Sequence, residues 1–199
     1  GVWHGGDGFD AFEDNIGRFL SEYGMQSFPG MATIMKFAEE KDLDTESEVM
    51  KSRQKASLGT GNLLKYIEEY FGLHSNFQSI VVLSQITQAL AIKTAVEIHR
   101  RSMPFCMGTL YWQFNDCWPA ISWSSVDYYG NWKALHYHAK RFFNPIIITF
   151  REKDDYIHLY VINDQHKTVE SIFSFQLLTL DGDVLKQKSL EHRIAMSSS

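Results

Sequence analysis

Two acidic residues in this chain each follow an apolar segment that we predict to be a β-strand. Glu22 follows residues 16–21, and Asp116 follows residues 106–115. A carboxylate at the end of a strand is either solvated or directed into a binding site. In a β/α fold the loops after the strands form the open face of the molecule, so both acids would lie at that face. We therefore treat both as candidate catalytic or binding groups.

Aromatic residues accompany both acids. Trp112 lies in the second predicted strand, and Trp118 and Trp123 lie in the loop beyond Asp116. Aromatic faces bind the C–H-rich faces of sugar rings, and a carboxylate can attack or stabilise the oxocarbenium-like centre of glycoside hydrolysis. Glu22 with these tryptophans is thus typical of carbohydrate chemistry. Three alternatives stay open here: a solvated Glu22, an Asp116 that anchors its loop, and tryptophans that only pack.

Composition argues against several other classes of protein. The formal net charge is −5 and no long Lys/Arg block occurs, so the sequence lacks the basic surface that nucleic acid or anionic membranes require. Polar residues interrupt the apolar stretch from Ile80 to Ile98, which favours a buried amphipathic helix over a membrane span. His136 and His138 face different directions on a predicted helix and make a poor metal pair. We expect a soluble globular protein that binds neither nucleic acid nor membranes.

The elements that must position the candidate residues alternate in the first part of the chain. A strand at residues 16–21 is followed by helices, then by a strand at 106–115 and a last helix. The predicted helices are Asn62–Leu73, Asn76–Arg101 and Trp132–Phe143. This order of strand, helices, strand and helix is typical of an α/β fold.

Beyond Pro145 the sequence changes in character. Four short segments rich in β-branched and aromatic residues are separated by turn residues such as Asp181-Gly182-Asp183. We predict strands at residues 146–150, 156–162, 169–180 and 184–190. Consecutive strands without helices predict a piece of an antiparallel β-sandwich. The predicted domains are therefore residues 1–144 and 145–199.

Two smaller predictions concern single side chains. His99 lies near the end of a predicted helix, where a positive charge is favourable. Cys106 and Cys117 flank an extended segment that holds them beyond disulfide reach, so we expect two free, buried thiols.

Two stretches of the sequence resemble the β-mannosidases of glycoside hydrolase family two. Residues 18–29 read Arg-Phe-Leu-Ser-Glu-Tyr-Gly-Met-Gln-Ser-Phe-Pro, and residues 108–119 read Gly-Thr-Leu-Tyr-Trp-Gln-Phe-Asn-Asp-Cys-Trp-Pro. Residues 122–124 and 127–137 add to a match that spans about residues 1–145. The resemblance implies that the first domain is the last part of a (β/α)8 TIM barrel. It also implies that residues 145–199 begin an immunoglobulin-like antiparallel β-sandwich.

The resemblance implies a role for five residues. Glu22 corresponds to the catalytic nucleophile at the end of the seventh barrel strand, and Trp112 to the tryptophan that lines the sugar subsite. Asp116 and Trp118 would shape the same end of the site, and Trp3 would border it. The retaining mechanism of such enzymes needs no metal or organic cofactor.

The implied activity is that of a retaining exo-β-mannosidase acting on a β-mannoside or an oligosaccharide. Its acid/base is a Glu directly after an Asn, upstream of the nucleophile, and this chain contains no Asn-Glu dipeptide. We thus expect a fragment that is inactive without the remaining domains of a parent chain. Two alternatives remain open: another family-two β-glycosidase (a glucosaminidase, galactosidase or glucuronidase), or a non-catalytic carbohydrate-binding module.

Overall fold

The computed structural model of the chain describes residues 2–5, 7–74 and 76–199. These residues form two units, Gly1–Phe143 and Asn144–Ser199, and the division lies beside the predicted boundary. The first unit is helical with extended connecting segments, and the second contains two antiparallel sheets. The assignment of these units to a barrel and a sandwich domain stays a prediction.

The first unit contains the three predicted helices, which are confirmed with small shifts of their ends. Its α-helices are α1 (Val2–Gly5), α2 (Met31–Ile34), α3 (Glu48–Arg53), α4 (Gly59–Phe71), α5 (Phe77–Arg101) and α6 (Ala134–Phe142). Two short 3-10 helices, Phe9–Glu13 and Glu40–Asp42, lie between them.

The long helix α5 forms the centre of the first unit. Asn76 caps it by accepting a hydrogen bond from the Ser79 N–H at 3.0 Å. The helix packs against α4, α6 and the 3-10 helix Phe9–Glu13, and Ile92 and Val96 are fully buried. By length and composition α5 could cross a membrane, but 56% of its most apolar window is buried. That burial is what the core helix of a globular unit shows.

The strands predicted at residues 16–21 and 106–115 are wrong in extent. The two segments are joined by an isolated parallel bridge between Leu20 and Thr109. The Leu20 N–H donates to the Gly108 carbonyl at 2.9 Å, and the Leu110 N–H donates to the Leu20 carbonyl at 2.8 Å. Beyond Leu110 the pairing is irregular, because the Trp112 N–H donates to the Tyr23 carbonyl rather than to that of Glu22, and the Gln113 N–H donates to the Trp123 carbonyl. No continuous ladder forms. The segments are extended and paired, but too briefly to be strands.

The four strands predicted in the second unit are confirmed. They are β1 (Ile146–Lys153), β2 (Tyr156–Asn163), β3 (Val169–Leu178) and β4 (Val184–Ile194). Strand β1 pairs antiparallel with β2, and β3 pairs antiparallel with β4. Asp154 and Asp155 adopt positive φ values of 52° and 62° in the first turn, and Gly182 adopts 97° in the second. Turn residues and β-branched segments thus determine the two hairpins locally.

The two cysteines are free, as predicted, but only one is buried. Cys106 is 2% exposed, whereas Cys117 is exposed. Cys117 differs because it lies in the loop after Asn115, where no neighbouring segment covers it.

Candidate active site

A cleft of about 620 Å³ lies in the first unit beside Glu22. Three of the five predicted site residues line it, namely Glu22, Trp112 and Trp3. Glu22 and Trp112 are distant in sequence and come together because the Leu20–Thr109 bridge places their two extended segments side by side. The remaining lining residues are Val2, Phe12, Tyr23, Gly24 and Trp123.

Glu22 contributes an exposed carboxylate to this cleft. Its side chain makes no hydrogen bond or ion pair with the part of the chain that the structure describes. Among the described residues that line the cleft, it is also the only acid. An unpaired carboxylate beside aromatic side chains is available to contact or attack a bound molecule.

Gly24 is required by a close approach between the two extended segments. A Cβ atom at this position would lie 2.4 Å from the backbone oxygen of Trp112 and 2.9 Å from Cδ1 of Trp123. Both distances are shorter than any ordinary contact of a side chain. Gly24 is therefore the residue that lets the Glu22 segment reach the two tryptophans.

The three tryptophans of the cleft differ in exposure. Trp112 is 48% exposed and offers a free ring face, whereas Trp3 is only 5% exposed. The rings of Trp3 and Trp123 meet edge to face with centroids 6.4 Å apart. Trp112 is thus the platform that a ligand could stack on, and Trp3 and Trp123 together form a wall. Trp123 is not one of the five predicted site residues, although its position in the loop beyond Asp116 made it a candidate.

Asp116 and Trp118 do not line the cleft. The Asp116 side chain is 1% exposed and forms an ion pair with Lys55 Nζ at 2.8 Å. The Trp118 ring lies near two cations, 5.6 Å from the Arg53 guanidinium and 5.9 Å from Lys55 Nζ. The sequence placed both residues at the same end of the site as Glu22. In the structure they lie instead beside the side chains of Lys55 and Arg53.

Asp116 nevertheless affects the cleft through the loop that carries Trp123. Ser122 Oγ donates to the Asp116 carboxylate at 2.7 Å, and Ser124 Oγ donates to the same oxygen. These serines lie on either side of Trp123. The carboxylate therefore fixes the loop on both sides of a cleft residue.

Lys133 supports the same loop from the interior. Its ammonium group donates to the Ser27 carbonyl and hydroxyl, and to the Ser122 carbonyl at 3.2 Å. Burial lowers the pKa of Lys133 to about 7, although the charges of Asp116 and Asp127 favour the protonated form. Ser27 and Ser122 form an antiparallel bridge. Lys133 thus ties the segment after Gly24 to the segment before Trp123.

His99 does not carry the positive charge predicted from its position in the helix. It is 2% exposed, and burial lowers its pKa to about 4. Desolvation of the imidazolium outweighs the favourable effect of the helix end, so His99 is neutral near neutral pH. Its Nδ1 shares a 2.8 Å hydrogen bond with the Thr109 hydroxyl.

Metal ligands do not cluster within residues 2–5, 7–74 and 76–199. No group of three or more His, Cys, Asp or Glu side chains in these ranges could hold an ion. The cleft itself places a carboxylate beside aromatic rings.

Comparison with known proteins relates the chain to glycosidases. No family model matches it. Over 160 residues it is 40% identical to a β-mannosidase of Capra hircus. The aligned residues are 74% of this chain and 18% of that protein. The chain spans about a fifth of the length of the curated relatives it matches.

Solved structures give a similar result. The crystal structure of a β-D-mannosidase from Dictyoglomus thermophilum matches 99% of this chain and 24% of its own, with a TM-score of 0.92 and 35% identity. The exo-chitosanase CsxA of Amycolatopsis orientalis matches 90% of this chain and 22% of its own, with a TM-score of 0.74 and 20% identity. At that identity the second likeness concerns the fold alone.

We expect Gly24→Ala to destabilise the first unit and to disturb the cleft. The added methyl group must push against the Trp112 backbone, which we expect to cost about 1–3 kcal/mol of unfolding free energy. Urea unfolding gives the free energy, and near-UV circular dichroism reports the tryptophans. Gly61→Ala in helix α4 is the matched control, because its Cβ meets nothing within 4 Å. It should stabilise by up to about 1 kcal/mol, and equal losses in both variants would contradict the close approach.

Acid should weaken the fold through His99. The unfolded imidazole binds a proton below about 6.5, whereas the folded one does so only below about 4. The unfolded state therefore binds more protons between these pH values, and stability falls as the pH is lowered from 6.5 to 4. Urea unfolding at several pH values measures this slope. His99→Asn should flatten the slope in that window, and unchanged slopes would show that His99 is not the responsible group.

Proposed function

The chain is a segment of the β-mannosidase type, and from this premise we propose that it supplies the nucleophile of a retaining exo-β-mannosidase. The substrate would be a terminal, non-reducing β-D-mannose residue of a glycoside or oligosaccharide. The observation that carries this proposal is the exposed, unpaired Glu22 carboxylate in a cleft that also contains Trp3, Trp112 and Trp123.

The proposed reaction is a double displacement. Glu22 attacks the anomeric carbon, the bond to the leaving oxygen breaks, and a covalent glycosyl-enzyme forms. A second carboxyl group protonates that oxygen and then accepts a proton from the water that releases the sugar. Trp112 would stack on the sugar ring, while Trp3 and Trp123 would close one side of the subsite. Asp116 would act by holding the Trp123 loop, and Trp118 stays a predicted substrate contact outside this cleft.

The second carboxyl group would come from outside this chain. Retaining enzymes need two carboxyl groups about 5 Å apart, and Glu22 is the only acid among the described residues of the cleft. We propose that the first unit is the end of a (β/α)8 barrel whose earlier part carries the acid/base. The parallel pairing of the Glu22 and Trp112 segments supports this, because barrel strands are parallel.

An open edge and an apolar groove also support the barrel proposal. The backbone groups of Thr109 and Tyr111 that face away from Leu20 have no partner in the described part of the chain. Beside them lies a groove of about 480 Å³ whose lining includes Phe114 and Phe143. A further strand and helix of a barrel would cover such a surface. By the same reasoning, we propose that the exposed faces of the β1–β2 and β3–β4 hairpins belong to an immunoglobulin-like sandwich.

We predict that the purified 199-residue chain hydrolyses no aryl β-mannoside. The described lining of the cleft offers Glu22 and no second carboxyl group to give and take protons, and loss of general acid–base catalysis alone costs about 10²–10⁴-fold. Release of the chromophore from 4-nitrophenyl β-D-mannoside measures the activity. A longer parent protein that includes the upstream barrel is the positive control. Turnover by the short chain would contradict the proposed division of the site.

The function is tested by trapping the proposed nucleophile in the longer parent protein. A 2-deoxy-2-fluoro-β-mannosyl fluoride should label Glu22, as located by peptide mass spectrometry. Glu22→Gln should abolish the label and lower kcat by several powers of ten, whereas Glu48→Gln, a change at a 94% exposed side chain, should do neither. A label only from the glucosyl or galactosyl analogue would indicate another β-glycosidase. No label from any analogue would favour a carbohydrate-binding module.

A further inference from the structure

Tyr23, the residue after Glu22, is held at both ends by the segment that carries Trp112. Its backbone carbonyl accepts a hydrogen bond from the Trp112 N–H at 2.7 Å. Its phenol oxygen shares a hydrogen bond with the Thr109 hydroxyl at 2.6 Å. Tyr23 is also one of the residues that line the cleft. Tyr23 therefore links the residue proposed as nucleophile to the residue proposed as sugar platform.

Thr109 is itself fixed from two directions. The residues on either side of it, Gly108 and Leu110, make the backbone bonds to Leu20, and its own hydroxyl also bonds His99 Nδ1 at 2.8 Å. A hydroxyl group donates one hydrogen bond and accepts others, so the Tyr23–Thr109–His99 chain is complete in either direction. His99 is buried and rigid on helix α5, and its ring meets that of Tyr23 edge to face at 5.0 Å. The chain of three side chains thus connects the cleft to the core.

We propose that Thr109 is a positioning residue of the active site. Its hydroxyl, supported by His99, fixes the Tyr23 ring and with it the direction in which Glu22 faces the sugar on Trp112. Thr109 does not line the cleft, so it acts through Tyr23 rather than on the substrate. This inference rests on the proposed function, because it concerns the attack by Glu22.

The physical reason is that nucleophilic attack depends steeply on geometry. A displacement of about 1 Å at the reacting atoms can cost about 100-fold in rate. Glu22 makes no contact of its own that would hold its carboxylate in the described part of the chain. Within these residues its position is set by the backbone on either side, where Leu20 and Tyr23 are the residues bound to the Trp112 segment.

The test uses the longer parent protein and four variants. Thr109→Val removes the hydroxyl at nearly constant shape, Thr109→Ser retains it, and Tyr23→Phe removes the other oxygen. The double variant Tyr23→Phe/Thr109→Val removes both. The rate of Glu22 labelling by the 2-fluoro mannosyl fluoride isolates the attack step, and kcat and KM on an aryl β-mannoside report turnover. Thermal unfolding shows that each variant is folded.

We expect Thr109→Val and Tyr23→Phe each to slow labelling and kcat by about tenfold, with a smaller change in KM. The double variant should be no slower than the slower single variant, because both changes break one linkage. Thr109→Ser should retain the wild-type rate. A role in stability alone would lower the melting temperature without this pattern of rates.

Two results would overturn the inference. One is wild-type labelling rates in Thr109→Val and Tyr23→Phe; the other is a double variant whose loss is the product of the single losses. If Thr109→Val fails to fold, Tyr23→Phe decides the question, because it leaves the ring and its packing in place. A wild-type parent with no label at Glu22 overturns the proposed function together with this inference. A labelled wild type with unaffected variants overturns this inference alone.

Discussion

The parallel contact between residues 18–24 and 107–113 is the constraint on which the cleft depends. Backbone hydrogen bonds fix the register, so that Leu20 lies beside Thr109 and the Tyr23 carbonyl receives the Trp112 N–H. A shift of one residue would turn alternate side chains to the opposite face and separate Glu22 from Trp112. Gly24 completes the contact, since any side chain there would collide with the neighbouring backbone.

A buried polar cluster supports this contact from behind. Asp116 is paired with Lys55 and accepts from two serines, while Lys133 donates to the backbone oxygens of Ser27 and Ser122. Buried charges are costly when unpaired and rigid when fully bonded. Because Ser122 lies within this cluster, a change that disturbs the cluster would also disturb the loop that carries Trp123. Asp116 and Lys133 thus hold the wall of the cleft in place, although neither of them lines the cleft.

The composition of the cleft bears on the proposal that this chain belongs to a larger barrel. Glycoside hydrolysis with retention requires one carboxylate that attacks and one carboxyl group that gives and takes a proton. The described lining supplies Glu22 and aromatic rings, which in the proposed function would serve attack and sugar binding. The open backbone edge at Thr109 and Tyr111 lies on the same segment as the sugar platform. Completion of the fold and completion of the chemistry would therefore occur together.

The sequence by itself determined the three longest helices, α4, α5 and α6, the hairpins of residues 146–194 and the likeness of residues 18–29 to a nucleophile segment. These depend on local patterns: helical periodicity, turn residues and a short motif. Only the tertiary structure decided that Asp116 faces Lys55, that His99 is neutral and that Trp123 joins the cleft. Burial, desolvation and the meeting of distant segments cause these three outcomes. None of them leaves a periodic signal in the chain.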